Sequence, residues 1–311
     1  MAAAVKIALT GAAGLVGQNL IPRLMARGYT DIVALDKHKA NTAILRRLHP
    51  DIAVIEADLA RDRGWQDAVA DADVVVLSHA QIGGLDEADF AANNVTATER
   101  VIVAVRAKQP YVVHLSSSVV ESAADDWYVQ SKAAQEKIVV QSALPVVVLR
   151  PTLMFGWFDR KHLGWLARFM QKTPVFPIPG NGRYLRQPLY AGDVCDIIMG
   201  CIERRPSGTY NISGQEKIDY LDLMRALKEA VGARTAIVRI PYSLFWALLR
   251  IYGLFDRDPP FTTKQLEALV TPDVFEVIDW PAIFGVKATP LSDALTETFR
   301  HPAYSQIVLE F

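Results

Sequence analysis

Short apolar segments rich in valine and isoleucine alternate with longer amphipathic segments over the first half of the chain. Strands that helices cover on both faces have such continuous apolar sequences. The pattern predicts strands at Val5–Leu9, Ile32–Leu35, Ile52–Ile55, Val74–Leu77, Tyr111–Leu115 and Val146–Leu149. It predicts helices between them at Leu15–Arg27, Thr42–Leu48, Trp65–Ala70, Asp86–Ala107 and Tyr128–Ser142. This alternation indicates an α/β fold with a doubly wound parallel sheet.

The alternation ends after Arg150 and Pro151, where a segment with several prolines and glycines begins. Further helices are predicted near Asp193–Glu203, Tyr220–Val231 and Tyr242–Ile251. We therefore expect a nucleotide-binding domain at residues 1–150 and a smaller C-terminal α/β substrate-binding region at 151–311. The second region is expected to return a strand or two to the sheet.

Composition places the 311-residue chain among globular proteins, because 51% of its residues are hydrophobic and 22% are charged. The net charge of −1 provides no overall attraction to nucleic acid or anionic lipid. Cys195 and Cys201 lack metal-ligand spacing, so we expect free thiols in a reducing compartment and no metal site. The N-terminus lacks signal-peptide features and no apolar stretch reaches 18 residues, which predicts a cytoplasmic protein without a membrane span.

A glycine-rich segment follows the first predicted strand and leads directly into a helix. Gly11 permits a tight turn, Gly14 lets the backbone approach a pyrophosphate, and Gly17 lets the helix pack closely on the strand. The free N–H groups of the helix N-terminus can then bind the anion. The cofactor-binding residues predicted here are Gly11, Ala13, Gly14, Leu15, Val16 and Gly17.

Asp36 ends the second predicted strand, nineteen residues after Gly17. A carboxylate at this position accepts both ribose hydroxyls of NAD and repels a 2′-phosphate. The neighbouring Lys37 is compatible with NADP, but the acid favours NAD. Asp58 and Leu59 follow the third strand, where they either flank an adenine or form a helix N-cap.

Tyr128 and Lys132 lie four residues apart in a predicted helix and so share one of its faces. A tyrosine has a pKa near 10, and a lysine ammonium about 4 Å away can lower it toward neutrality. Ser116, Ser117 and Ser118 follow the fifth strand, where a hydroxyl can bind a reacting oxygen opposite the tyrosine. The combination predicts a proton-transfer site.

Together these features resemble the extended short-chain dehydrogenase/reductase family, of NAD-dependent epimerase/dehydratase type, over nearly the whole chain. The similar segments are Thr10–Gly17 (TGxxGxxG), Ser78–Ala80 after strand four, Asn94, Ser116–Ser118, Tyr128 with Lys132 (YxxxK), Arg150–Gly156 (RPxxxxG), Arg186–Val194 (RxxxxxxDV) and Tyr210–Gly214 (YNxxG).

The resemblance implies a Rossmann-type sheet that binds NAD, with Tyr128 as general acid/base and Lys132 on the nicotinamide ribose. Ser117 is the favoured catalytic serine and Ser118 the alternative. The further cofactor contacts implied are Ser78, His79, Ala80, Asn94, Ser116, Pro151 and Thr152. The substrate contacts expected are Gln81, Ser118, Phe155, Trp157 and Arg186. Arg186 either binds a substrate diphosphate or forms a salt bridge, and Trp157 either lines the pocket or packs at a helix start.

The family's dehydratases often carry Asp-Glu after the catalytic serine or threonine, whereas Ser118 and Val119 follow Ser117 here. The resemblance therefore favours an NAD-dependent epimerase or oxidoreductase acting on a hydroxyl or keto carbon of a nucleotide sugar. It also implies a homodimer. One alternative is a reductase of a lipid-like or steroid-like substrate. Another is a non-catalytic, cofactor-holding subunit like the accessory subunit of respiratory complex I. The apolar segment 242–255 is either a core helix or a surface for a lipid, a membrane or another subunit.

Overall fold

The computed structural model describes residues 5–122, 126–255, 263–271 and 275–310. Its strands are β1 (Ile7–Thr10), β2 (Ile32–Asp36), β3 (Ala53–Glu56), β4 (Val74–Leu77), β5 (Tyr111–Leu115), β6 (Val146–Pro151), β7 (Met154–Phe155), β8 (Val175–Pro179), β9 (Leu185–Arg186), β10 (Leu189–Tyr190), β11 (Gly208–Ile212), β12 (Ile218–Asp219) and β13 (Ala236–Ile240).

The helices connect these strands. They are α1 (Leu15–Ala26), α2 (Lys39–Leu48), α3 (Gln66–Val69), α4 (Glu87–Phe90), α5 (Ala97–Val105), α6 (Trp127–Val140), α7 (Leu163–Lys172), α8 (Ala191–Arg204), α9 (Tyr220–Val231), α10 (Tyr242–Phe255), α11 (Thr263–Val270), α12 (Trp280–Phe284) and α13 (Leu291–Arg300). A π-helical segment (Ala91–Thr96) joins α4 to α5, and a 3-10 helix (Ser118–Glu121) follows β5.

Seven strands pair in parallel in the order β11-β6-β5-β4-β1-β2-β3. This confirms the predicted α/β fold with a Rossmann-type doubly wound sheet. The six predicted strands are present, and β11 from the second half of the chain pairs with β6. The strand order reverses between β1 and β4, and a crevice for ligands opens at such a point beyond the carboxyl ends of the strands.

The sheet is buried on both faces, which explains its continuous apolar strands. Alternate residues of a strand point to opposite faces, so Ile7 and Leu9 contribute to one core and Ala8 to the other. Helices α1 and α8 cover the first face, while α3, α5 and α6 cover the second. A third apolar core lies in the C-terminal region between α7, α9 and α13.

Several elements differ from the sequence prediction. The long helix expected at Asp86–Ala107 is divided by the π-helical segment, and α7, α11, α12 and α13 were not predicted. Pro177 and Pro179 indicated a loop, yet both lie in β8, which pairs only with β13 in a two-stranded sheet. Proline is tolerated there because a strand with one pairing partner needs few of its N–H groups.

The chain's second half does not stand apart from the first, since β11 extends the central sheet. The division at residue 150 stays a prediction. Helix α10 forms where the apolar segment 242–255 was noted. Within the described ranges, none of the helices is long and apolar enough to cross a bilayer. Cys195 and Cys201 are both free and buried in α8.

Two glycines allow the close packing at the start of α1. A Cβ on Gly17 would lie 2.4 Å from the carbonyl oxygen of Ala12, and one on Gly11 would lie 2.6 Å from the backbone nitrogen of His79. Gly11 also has a φ of +65°, in the left-handed region that favours glycine. The helix can therefore approach β1 and β4 only with glycine at both positions.

We expect Gly17→Ala to lower the free energy of unfolding by about 1–3 kcal/mol, because the added methyl overpacks a rigid backbone contact. Urea denaturation without NAD measures this effect. Gly83→Ala is the matched control, since no atom lies within 4 Å of a Cβ there. Equal urea midpoints for Gly17→Ala and the wild type would contradict the packing argument.

Candidate active site

A cleft of about 600 Å³ lies beyond the carboxyl ends of β1, β2 and β4. The predicted cofactor residues in its lining are Gly11, Ala13, Gly14, Asp36, Lys37, Asp58, Leu59, Ser78, His79 and Ala80. The predicted substrate residue Gln81 also lines it. Sequence reasoning had not assigned these further lining residues to it: His38, Asn41, Ala57, Ile82, Gly83, Gly84, Asn93 and Ala97.

The glycine-rich turn leaves space for a diphosphate. Gly14 precedes α1 and has no side chain to cap the helix. A Cβ on Gly14 would have one neighbour within 4 Å, the carbonyl oxygen of Gly11 at 3.3 Å. The helix N-terminus therefore presents free N–H groups to the cleft. Leu15 begins α1, while Val16 and Gly17 are buried and support the turn from below.

Asp36 is fixed at the end of β2 by two backbone N–H groups. Its carboxylate accepts hydrogen bonds from Ala13, at 3.0 Å, and from His38, at 2.9 Å. Burial raises its pKa above the ordinary value, against the opposing effect of these bonds. The carboxylate is thus held in the cleft lining where the sequence predicts contact with a ribose, and the lining fits the adenosine half of NAD.

Cationic side chains also lie at this end of the cleft. Lys37 donates a 2.7 Å hydrogen bond to Asn93, and His38 caps the N-terminus of α2. Lys161, which the sequence placed only in a segment near the nicotinamide side, lines the same cleft. Asp58 accepts from the Ala60 N–H at 2.9 Å, so its carboxylate orders a turn rather than capping a helix.

The Ser117 hydroxyl and the Tyr128 phenol form a hydrogen-bonded pair at the carboxyl end of β5. Burial raises the pKa of Tyr128, the Ser117 hydrogen bond lowers it, and the charge on Asp126 raises it further. The net shift is upward, so the phenol keeps its proton at neutral pH. Ser118 begins the 3-10 helix next to this pair.

Lys132 is fully buried and takes a different position from the one expected. Its Nζ donates to the carbonyl oxygen of Leu115, at 2.8 Å, and to Oε1 of Gln135, at 2.5 Å. Burial lowers its pKa to about 7, although Glu136 opposes the shift. Burial therefore destabilises the charged form of Lys132, and its expected effect on the Tyr128 pKa stays a prediction.

A buried polar network continues from Lys132 toward β1. Gln135 Nε2 donates to Thr98 Oγ1 at 2.9 Å, and the His79 ring lies 3.0 Å from Thr98 Oγ1 and 2.6 Å from Thr10 Oγ1. Burial, together with the Lys132 charge, lowers the pKa of His79 to about 3. His79 is therefore neutral and points inward, so only its backbone side is available to a cofactor.

The π-helical segment positions Asn94 beneath the cleft. The Asn94 side chain accepts from the Gln81 N–H at 2.6 Å and donates to Ser131 Oγ at 2.8 Å. It therefore ties the segment after β4 to α6, which carries Tyr128. Asn94 is fully buried and outside the cleft lining, so it acts as a positioning residue rather than a cofactor contact.

An ion pair fixes the other side of α6. Arg150 binds Glu136 through two hydrogen bonds of 3.1 and 2.5 Å, and Ser116 Oγ donates to the same carboxylate at 2.7 Å. Burial would raise the pKa of Glu136, but these partners lower it below its ordinary value. The Ser116 hydroxyl is thus occupied within the protein, and a contact of Ser116 with the cofactor stays a prediction.

Pro151 ends β6, and Thr152 follows it at the same edge of the sheet as Ser117. The Thr152 N–H donates to Ile212 at 2.9 Å. Its hydroxyl is buried and has no hydrogen-bond partner among the described residues. An unpaired buried hydroxyl is costly, so Thr152 fits the predicted contact with the polar end of a nicotinamide.

Two of the predicted substrate residues lie outside the cleft. Phe155 is buried in the third core, with its ring centroid 5.6 Å from that of Tyr190. Trp157 is buried under the Arg23 guanidinium and donates from its indole N–H to the carbonyl oxygen of Glu297. Phe155 lines a second, smaller pocket together with Tyr190 and Asp193, and the expected substrate contacts of Phe155 and Trp157 stay predictions.

Arg186 lies at the end of β9 and contacts the C-terminal end of α11. Its guanidinium donates to the carbonyl oxygens of Leu269 and Thr271 and lies 5.6 Å from the Tyr184 ring. The arginine therefore holds the C-terminal end of α11 against β9. Among the residues that the structure describes, no group of three or more His, Cys, Asp or Glu side chains is placed to hold a metal ion.

We expect Lys132 to make stability depend on pH. The pKa is about 7 in the folded state and about 10.4 when unfolded, so between these values the unfolded chain binds more protons. The free energy of unfolding of the NAD-free protein should therefore rise from pH 7 to pH 9. The increase should be smaller for Lys132→Met. Urea titrations at both pH values measure it.

Lys137→Met is the control, because Lys137 lies on the same helix and is exposed. Its pH dependence should equal that of the wild type. If the free energy of unfolding of Lys132→Met rose with pH as much as that of the wild type, the lowered pKa of the buried lysine would be refuted.

Comparisons with known proteins agree with this geometry. The model of the NAD dependent epimerase/dehydratase family matches residues 7–213. The 2-alkyl-3-oxoalkanoate reductase of Stenotrophomonas maltophilia (strain K279a) is 26% identical over 306 residues, which cover 86% of this chain and 90% of that protein. A 4-hydroxy-2-methyl-3-oxo-4-farnesyl-3,4-dihydroquinoline-1-oxide ketoreductase of Stigmatella aurantiaca is 26% identical over 258 residues, 75% of each chain.

Solved structures show the same fold. UDP-glucuronic acid 4-epimerase from Bacillus cereus, in complex with NAD, superposes with a TM-score of 0.72 at 20% identity and covers 96% of both chains. The family model spans more than half of the chain and includes the whole cofactor cleft and the Ser117–Tyr128 pair. The protein therefore belongs to the NAD-dependent epimerase/dehydratase family, as an enzyme of the epimerase/reductase type whose cofactor is NAD.

Proposed function

We propose that this enzyme interconverts a keto and a hydroxyl group on a hydrophobic, lipid-like substrate. The Ser117–Tyr128 pair, which lies beyond the carboxyl end of β5 and outside the lining of the cofactor cleft, supports the proposal for the reaction. The proposed substrate class rests on the exposed apolar side chains in the loops after β4 and β6 and on the contacts of Arg186. The sequence favoured a nucleotide sugar and held a lipid-like ketone as an alternative.

The pair can deliver a proton to a carbonyl oxygen. Tyr128 remains protonated at neutral pH because burial raises its pKa, and Ser117 can donate a hydrogen bond to the same oxygen. The cleft residues Gly14 and Asp36 would hold the reduced form of NAD, which when bound would supply a hydride to the carbonyl carbon. When Tyr128 gives up its proton, Ser117 stabilises the phenolate through the hydrogen bond that already lowers the tyrosine pKa.

Exposed apolar side chains occur in the loops after β4 and β6 and directly before Tyr128. Ile82 lines the cleft, and Leu85 in the same loop is 98% exposed. Trp127 directly precedes Tyr128 and lies against the Phe90 ring, while Leu153 follows the Thr152 end of β6 and is 57% exposed. Exposed apolar groups gathered at a cleft are typical of sites for apolar ligands.

The contacts of Arg186 argue in the same direction. An arginine binds a diphosphate through its fork of N–H donors, but here those donors serve the carbonyl oxygens of Leu269 and Thr271. The two relatives named above reduce ketones by their names, a 2-alkyl-3-oxoalkanoate and a farnesylated oxo-quinoline oxide. These names support a hydrophobic keto substrate for this chain.

A nucleotide-sugar epimerase is the second candidate. Arg186 is only half-buried and stands in the segment where the family resemblance predicts a diphosphate contact. A substrate diphosphate could compete with the two carbonyl oxygens for the guanidinium, because its charge makes stronger hydrogen bonds. The homodimer stays a prediction in either case.

Substitution of the pair tests the reaction. We expect Tyr128→Phe to lower kcat by about 10²–10⁴-fold, because the general acid is lost, while NAD affinity is retained. Ser117→Ala should also lower kcat, whereas Ser118→Ala should resemble the wild type. Stopped-flow measurement of NADH oxidation gives kcat, and NADH fluorescence gives the affinity. Wild-type turnover by Tyr128→Phe would exclude the mechanism.

A substrate panel separates the two candidates. We expect 2-alkyl-3-oxo acids and long-chain ketones to drive NADH oxidation and to raise the Tm of the NAD complex. UDP-, GDP- and dTDP-sugars should do neither. Stabilisation by one nucleotide sugar, abolished in Arg186→Met, would instead establish the second candidate and reject the lipid-like substrate.

A further inference from the structure

Helix α10 exposes a continuous apolar stripe. Leu244, Leu248 and Ile251 recur at the i, i+4, i+7 spacing that places them on one helix face, and they are 48%, 51% and 54% exposed. Tyr242 and Trp246 are exposed on the opposite side of the helix. A helix that belonged to the core would bury such residues, so the core interpretation of this segment does not apply to its described side chains.

The segment that contains this stripe is rich in arginine. Residues 230–255 contain three arginines, Arg234, Arg239 and Arg250, and no aspartate or glutamate, while Asp256 and Asp258 follow directly in the sequence. All three arginines are exposed, and the Arg250 guanidinium lies 5.5 Å from the Trp246 ring centroid. Residues 230–255 therefore carry a net charge of +3, although the chain as a whole carries −1.

Strand β13 extends the same surface. It leads directly into α10 and pairs with β8, and Val238 on β13 and Val175 on β8 are both exposed. Helix α10 also packs against α11, whose C-terminal end binds Arg186. The apolar, basic surface therefore extends from β13 through α10 to α11.

We propose that this surface, defined by Leu244, Leu248 and Ile251 with Arg239 and Arg250, docks on an anionic lipid bilayer. Apolar side chains of an interfacial helix enter the boundary between headgroups and acyl chains, and arginines bind the anionic headgroups. At 14 residues the helix is too short to cross the bilayer and lies along it.

A second copy of the chain fits this surface less well. A twofold interface would place the same basic patch on both sides, and like charges facing each other oppose association. The docking surface does not depend on the proposed reaction. Its use for delivering a membrane-dissolved substrate to the cleft does rest on the proposed function.

Vesicle co-sedimentation of the full chain tests the proposal. We expect binding to vesicles of phosphatidylcholine with phosphatidylserine, little binding to phosphatidylcholine alone, and weakening with added salt. Leu248→Glu/Ile251→Glu should weaken binding by about tenfold or more, because two aliphatic side chains no longer enter the boundary. Ile283→Glu/Val308→Glu, at two apolar positions exposed elsewhere, should bind as the wild type.

A second variant protects the test from misfolding. Each protein is assayed for NAD binding, and if Leu248→Glu/Ile251→Glu fails that assay, Arg239→Gln/Arg250→Gln must weaken binding and reduce its salt dependence. No binding by the wild type, equal binding by the surface variants, or self-association that these substitutions abolish would overturn the proposal. The vesicle assay contains no substrate. Inactivity toward lipid-like ketones would therefore refute the proposed function but not the docking surface.

Discussion

The reversal of strand order between β1 and β4 is the constraint on which the site depends. Helix α1 leaves β1 over one face of the sheet and the segment after β4 leaves over the other, so a cleft opens between them. Gly11 and Gly17 let these segments approach closely enough to frame that cleft. Parallel strands then bring Asp36, Ser117 and the other polar groups to the same edge.

A buried polar layer under the cleft holds the catalytic helix. Lys132, Gln135, Thr98 and His79 are joined by hydrogen bonds, and Asn94 ties the layer to the loop that borders the cleft. Burial keeps His79 neutral and brings the pKa of Lys132 down to about 7. The layer therefore fixes α6 without placing a permanent positive charge below Tyr128.

The chemistry of the outer surfaces differs from that of the cofactor end. Polar and charged groups such as Asp36 and Lys37 line the adenosine end, whereas Leu85, Trp127 and Leu153 are exposed apolar side chains in the loops after β4 and β6 and at the start of α6. Helix α10 exposes further apolar side chains in the C-terminal region. A reaction on a hydrophobic ketone and attachment to a bilayer are compatible uses of such exposed apolar groups.

The sequence by itself determined the strands, the glycine-rich turn, Asp36 and the Tyr128–Lys132 spacing. These features depend on local periodicity, backbone conformation and helix geometry, which neighbouring residues specify. Only the tertiary structure decided that Glu297 and Arg23 enclose Trp157, that α11 engages Arg186, and that burial raises the Tyr128 pKa. Burial and hydrogen-bond partners come from residues far away in the chain, and they set both the charge state of a side chain and its access to a ligand.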